Sequence, residues 1–232
     1  MSLVIHIASM TRFFSLIMLL LLSLSINAQS QKELRDSLSK ASEELAYHPD
    51  SIDLILKKAS WNVQLKQWDY ARVEYNKVLA MEKDNLAALY YRAYVNEQEG
   101  RYKFARLDYE HLLQLVPGNY EASLGLALLN QKDKHYTEAL DQINRLCSFH
   151  PDKAEAFAAR AGIEQERDML DLADYDFTEA LRLDPTNTDY LLSRVDVRLR
   201  LGKRQEARTD LDRLVELGIP RPALTDLYKQ TK

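Results

Sequence analysis

The sequence predicts an all-α protein, an α-solenoid of antiparallel helix pairs, and three observations carry that prediction. First, alanine recurs at Ala71, Ala105, Ala139, Ala173 and Ala207, each 34 residues from the next with no slip of phase. A fixed period of this length marks repeated helical units stacked along one direction. Second, side-chain size repeats around these anchors. Four residues after them (+4) stand Tyr75, Tyr109, Ile143, Phe177 and Leu211, and twelve before them (−12) stand the small Ala59, Ala93, Ala127, Ala161 and Val195. The apolar residues at +4, +7 and +8, such as Phe177, Ala180 and Leu181, form one stripe of a helix. The small residues at −12 let a second helix approach it closely. Third, only 6 Gly and 6 Pro occur in 232 residues, too few for the many tight turns of a β protein. Pro117, Pro151 and Pro185 share position +12, where a proline ends a helix.

Residues 1–28 read as an export signal. An apolar run of 14 residues, 13–26 (FFSLIMLLLLSLSI), follows Arg12 and precedes Asn27, Ala28 and Gln29, the layout of a cleavable leader. Cleavage is expected after Ala28. A retained signal anchor is the alternative, although a membrane span needs about 20 apolar residues. Met10 is an alternative start. No Cys follows the expected cut, and loss of Arg12 leaves 30 basic against 35 acidic side chains, a formal charge of −5. Residues 29–51 hold an N-terminal half repeat, because Leu34, Leu38, Ala41, Leu45 and Pro49 occupy second-helix positions one period before the first full unit. Five full repeats follow over 52–219 (52–85, 86–119, 120–153, 154–187 and 188–219), with Gly100 and Gly202 in the turn inside a repeat. Helices of about 14 residues at about 1.5 Å per residue are roughly 20 Å long. Residues 220–232 form a C-terminal capping helix that covers the exposed end of the array.

Composition narrows the function. With 46% hydrophobic and 28% charged residues, the chain has enough apolar surface for a core. A net charge of −4 and the lack of a basic stripe exclude nucleic acid as an expected partner. Cys147 is the sole cysteine, so no internal disulfide forms.

The 34-residue period, together with Phe157, Ala161, Leu170, Ala173, Phe177, Ala180 and Pro185, resembles the tetratricopeptide repeat. The resemblance covers residues 52 to 219. It departs at Lys83 and Ile219, which replace the closing proline, and at Arg204, which replaces an aromatic residue. It implies a right-handed solenoid whose first helices line a concave groove for an extended peptide or a partner's helix. The groove positions are then −18, −15, −11 and −8. The outermost column reads Asp53, Ala87, Glu121, Glu155 and Asp189, and the apolar columns include Leu56, Tyr90, Leu124, Tyr94 and Leu128.

On this reading Leu56, Tyr90, Tyr94, Leu124 and Leu128 grip apolar side chains of a partner, while Glu97, Glu121 and Glu155 favour Lys or Arg nearby. The acids at −18 also lie in the first turn of their helices, where they complement the macrodipole. Leu56 with Ser60, Tyr90 with Tyr94, and Ala158 with Gly162 do not supply the Lys and Asn clamp of the chaperone-tail binders of this family.

A second pattern concerns stability. Position −13 carries Lys58, Arg92, Leu126, Arg160 and Arg194, and position +3 carries Glu74, Asp108, Gln142, Asp176 and Asp210. The columns change together, which predicts an ion pair between the two helices of each repeat except the third. Such a ladder is not an active site. The histidines show no metal-ligand spacing, and Cys147 occupies a position held elsewhere by Leu79, Leu113, Leu181 and Val215, so it reads as core. Trp61 and Trp68 read as packing residues. The expected function is a protein- or peptide-binding scaffold or adaptor in the bacterial cell envelope, exported to the periplasm. It is expected to have no enzymatic activity, no cofactor and no metal, and no membrane span after signal removal. Secretion or membrane anchoring is the alternative location. The alternative functions are a membrane-tethered assembly factor, and a small-ligand carrier or enzyme using the groove as a pocket.

Overall fold

The computed structural model describes residues 31–232. The expected export signal, its cleavage after Ala28 and the alternative start at Met10 lie outside the described residues. Helix α1 covers 31–47. The first helices of successive repeats are α2 (Ile52–Gln64), α4 (Leu86–Gln98), α6 (Tyr120–Lys132), α8 (Ala154–Glu166) and α10 (Thr188–Arg200). The second helices are α3 (Trp68–Met81), α5 (Tyr102–Leu115), α7 (Tyr136–Phe149), α9 (Leu170–Leu183) and α11 (Arg204–Glu216). The closing segment differs from a single helix: a 3-10 turn (Arg221–Leu224), with Pro222 in it, precedes α12 (Thr225–Gln230). No strand occurs among the described residues.

Local chemistry fixes the helix ends. Asn85, Asn119 and Asn187 cap α4, α6 and α10, their side-chain oxygens accepting from the amides of Ala88, Ala122 and Tyr190 at 3.0, 2.8 and 3.2 Å. The turn inside every repeat places its −5 residue at positive φ: Lys66 55°, Gly100 69°, Lys134 62°, Asp168 59° and Gly202 73°. The amide after each of them bonds back across five residues, as in Gln67 N–H to the Asn62 carbonyl (2.8 Å) and His135 N–H to that of Asn130 (2.8 Å). This is the Schellman closure of a helix. Glycine marks it in two repeats only, so three of the turns were hidden in the sequence.

The contact pattern divides the chain into a unit ending at Arg101 and a second unit, Tyr102–Lys232. In the first, Ile55, Ala59, Ala71, Tyr75, Val78, Ala88 and Val95 form the core, and Leu45 of α1 packs against it. Tyr75 also stacks on Tyr91 with ring centroids 6.0 Å apart.

In the second unit one cluster joins α6, α7 and α8 through Ala127, Ala139, Ile143, Leu146, Cys147, Ala156 and Ile163. Another joins α8, α9 and α10 through Ala161, Ala173, Phe177 and Val197. Leu224, with the half-buried Leu227 and Tyr228, closes the last cluster over Leu211 and Leu214. All five anchor alanines and all five −12 residues are fully buried. Within each unit these clusters bury helix faces against neighbouring helices, at about 1.5–3 kcal/mol per large apolar side chain. Periodic size alone does not mean burial. Met81, Leu115 and Phe149 repeat at +10, where the second helices end, and are exposed.

Candidate partner-binding surface

Positions −15, −11 and −8 lie four and three residues apart, so they share one stripe of each first helix. In the first unit Leu56 and Tyr94 are half-buried against the core cluster, and Tyr94 meets Trp68 edge to face with centroids 6.2 Å apart. Tyr90 is half-buried and meets Tyr91 edge to face at 5.2 Å, and Glu97 is half-buried on the same helix. In the second unit Leu124 is half-buried on the core, Leu128 is half-buried one turn later, and Glu121 and Glu155 are exposed.

The two acids stand in the first turns of α6 and α8, so their macrodipole role is met. They also act on one neighbour, Tyr120, whose hydroxyl is buried with no hydrogen-bond partner among the described residues. Burial, then the charge of Glu155, pushes that phenol well above its usual range. The Tyr120 ring packs edge to face on His150 at 5.0 Å and lies 5.7 Å from the Lys153 ammonium. Tyr120 was not a sequence candidate. Its −19 column reads Ile52, Leu86, Tyr120, Ala154 and Thr188, with no pattern to single it out.

Sequence reasoning also missed a second exposed set. The outward side of the second helices carries Tyr70 and Val73, Phe104 and Leu107, and Leu172 and Tyr175, all exposed. The same positions in the third and fifth repeats are Glu138 and Asp141, Glu206 and Thr209.

The ion pairs expected between −13 and +3 form in the first, fourth and fifth repeats. Lys58 reaches Glu74 at 3.0 Å. Arg160 holds Asp176 through two nitrogens, and Arg194 holds Asp210 in the same way at 3.0 and 2.7 Å. In the third repeat Gln142 instead accepts from Asn130 at 2.9 Å. Each arginine also donates backward to the preceding second helix: Arg92 to Asn76 (2.8 Å), Arg160 to Asn144 (3.0 Å) and Arg194 to Thr178 (3.0 Å). A single guanidinium thus ties two repeats together.

One buried column breaks pattern in the fourth repeat. Position −9 is Asn62, Asn96 and Asn130, then Glu164, then Arg198. Glu164 is buried, and its carboxyl is pushed up to about 7 by burial first and then by the neighbouring Asp176 carboxylate, against the pull of Arg160. In the fifth repeat Arg198 makes the reverse choice and bonds Asp174 and Asp210, each at 2.8 Å. Burial alone would raise Asp174, but bonds from Lys203 and Arg198 outweigh it and hold this carboxyl below the usual range.

Cys147 lies in the core, where burial pushes its thiol up to about 11, so the nucleophilic thiolate is scarce at neutral pH. Among the described residues no group of three His, Cys, Asp or Glu is placed to hold a metal ion, and no helix is long and apolar enough to cross a membrane.

No protein-family model matches the sequence, and the comparison with curated proteins found no match. Solved structures are. A tetratricopeptide repeat protein from Parabacteroides merdae superposes with a TM-score of 0.70 at 22% identity, covering 88% of this chain and 79% of that one. PilW, described as a widely conserved type IV pilus biogenesis factor, gives a TM-score of 0.70 at 20% identity over 83% of this chain and 89% of its own. YrrB, described as a tetratricopeptide repeat protein with an unusual peptide-binding site, gives 0.55 at 18% identity over 77% and 92%. With its own 34-residue period and the helix pairs it shares with these structures, the chain is a protein of the tetratricopeptide-repeat fold.

Proposed function

We propose that this protein is a binding scaffold of the bacterial cell envelope that holds segments of other proteins and performs no chemistry of its own. The observation that carries the reading is the condition of the first-helix side chains. Leu56, Tyr90 and Tyr94 in one unit, and Leu124 and Leu128 in the other, are half-buried, each keeping part of its apolar surface in water. Tyr offers a large contact area at a low entropy cost, which suits recognition. The exposed Glu121 and Glu155 would favour Lys or Arg in the bound segment. The peptide-binding site of YrrB and the role of PilW as a type IV pilus biogenesis factor, two proteins of the same fold, support the reading.

Export rests on the apolar run at 13–26 behind Arg12. N-terminal sequencing of the chain from its native envelope tests it. A first residue of Gln29 supports a periplasmic scaffold, whereas an intact leader favours the membrane-tethered alternative. For the surface, proteins captured by the wild type are compared with those captured by a Tyr90→Ala, Tyr94→Ala double variant. Loss of specific bands is expected, and an unchanged set would remove these tyrosines from the binding surface.

A further inference from the structure

The third repeat departs from the others at positions that meet in one place. At −16 the other repeats carry Ile55, Leu89, Phe157 and Leu191, and the third carries Ser123. At −13 the others carry a cation, and the third carries Leu126. With the bulk and the guanidinium both missing, a pocket of about 670 Å³ opens among the end of α5, α6 and the end of α7. Ligand pockets typically measure about 300–1,000 Å³. Leu113, Leu126, Leu146 and Phe149 line this one, and Phe149 is 78% exposed, a large ring left in water beside an apolar wall.

The polar groups are few, and one of them, His150, is engaged edge to face by the Tyr120 ring. Ser123 donates to the Asn119 carbonyl at 2.8 Å, and the Gln142 side-chain carbonyl accepts from Asn130. Gln142 keeps its amide N–H groups as donors. Arg145 also lines the pocket and is exposed, with no ion pair among the described residues, whereas Arg160 and Arg194 are held by carboxylates.

We propose that this pocket docks the C-terminal residue of a partner polypeptide, its apolar side chain against Leu126, Leu146 and Phe149 and its terminal carboxylate on Arg145. An apolar group beside a single negative charge is what the lining asks for, and a C-terminal Leu, Ile or Phe presents both within one residue. An internal apolar residue would leave Arg145 without a partner. A dianion would set two charges against one permanent cation, Arg145. The exposure of Phe149 and Arg145 shows a pocket open to the surface, which suits one side chain of a peptide that continues into solvent better than a long acyl chain. The site uses none of the first-helix residues proposed above.

The test is binding of fluorescein-labelled pentapeptides ending in Leu, Ile or Phe to the full chain, each peptide as free acid and as C-terminal amide. Free acids are expected to bind at least about tenfold tighter than amides, the scale of a hydrogen-bonded charge. Arg145→Gln, a surface change that leaves the core intact, should erase that difference. Ser123→Leu, which restores the residue class of the other repeats, should abolish both. The Tyr90→Ala, Tyr94→Ala variant should bind the peptides unchanged, and loss there would move them to the first-helix patches and overturn this site. Equal binding of acid and amide would overturn it as well. So would indifference to Arg145→Gln, or binding of decanoate with no binding of any peptide.

Discussion

The third and fourth repeats place the same backbone positions in the same fold and fill them with opposite chemistry. In the fourth, Arg160 grips Asp176 and reaches back to Asn144, while Glu164 lies buried beside them, so charge is concentrated between two helices. In the third, Leu126, Gln142 and Asn130 hold the same places with one neutral hydrogen bond, and Ser123 leaves space unfilled. Both repeats keep their anchor alanines fully buried. The difference teaches that the small-residue contacts set the stacking, while the polar columns are free to tune stability in one repeat and to open a pocket in another.

The largest expected effect is at the charged site. Asp176→Ala strands Arg160 and should cost about 3 kcal/mol in urea unfolding, whereas Gln142→Ala should cost about 1 kcal/mol.

Next is the pH dependence of the fourth repeat. The Glu164 carboxyl titrates at about 7 in the folded chain against 4.5 when unperturbed. Between these values the folded state holds a proton that the unfolded state has released, so the contribution of this group is full below about pH 4.5 and is lost as pH rises through about 7. Glu164→Gln should remove this slope, a gain on the order of 2 kcal/mol at pH 8 relative to wild type. A wild-type stability that stayed flat between pH 5 and 8 would contradict the assignment.

Two helix glycines sharpen the comparison further. A methyl group on Gly125 would come within 2.7 Å of the buried Tyr109 ring, whereas one on Gly162 would meet nothing within 4 Å. Gly125→Ala should therefore cost about 1–2 kcal/mol, while Gly162→Ala should gain about 1 kcal/mol from helix propensity alone. Thermal unfolding of the two variants checks the opposite signs. The smallest effect is at the turn of the third repeat. Lys134→Gly relieves a side chain held at φ 62° and should stabilise by about 0.5 kcal/mol, less than the strain itself because glycine also loosens the unfolded chain.

The fold was legible because its determinants are periodic. Alanine at the anchor, small residues at −12 and large ones at +4 specify close helix packing five times over, and a shared column of Lys or Arg facing Glu or Asp announces the ladder. What escaped was carried by single departures. Lys66, Lys134 and Asp168 adopt the turn that Gly100 and Gly202 advertise, because the Schellman bonds impose it whatever the side chain. Glu164 and Ser123 stand in columns that could have been read, but their effect depends on which neighbours share the space. The candidate surface was least legible. An acid at −18 serves its helix end whether or not it meets a partner, and the exposed pairs on the second helices have no counterpart in the reading of the first.

The contrast between the two repeats is tested most directly by a pair of double-mutant cycles, Arg160→Ala with Asp176→Ala and Leu126→Ala with Gln142→Ala, measured by urea unfolding. The account predicts a coupling of about 3 kcal/mol in the fourth repeat and near zero in the third. Equal couplings in the two, or strict additivity at Arg160 and Asp176, would contradict it.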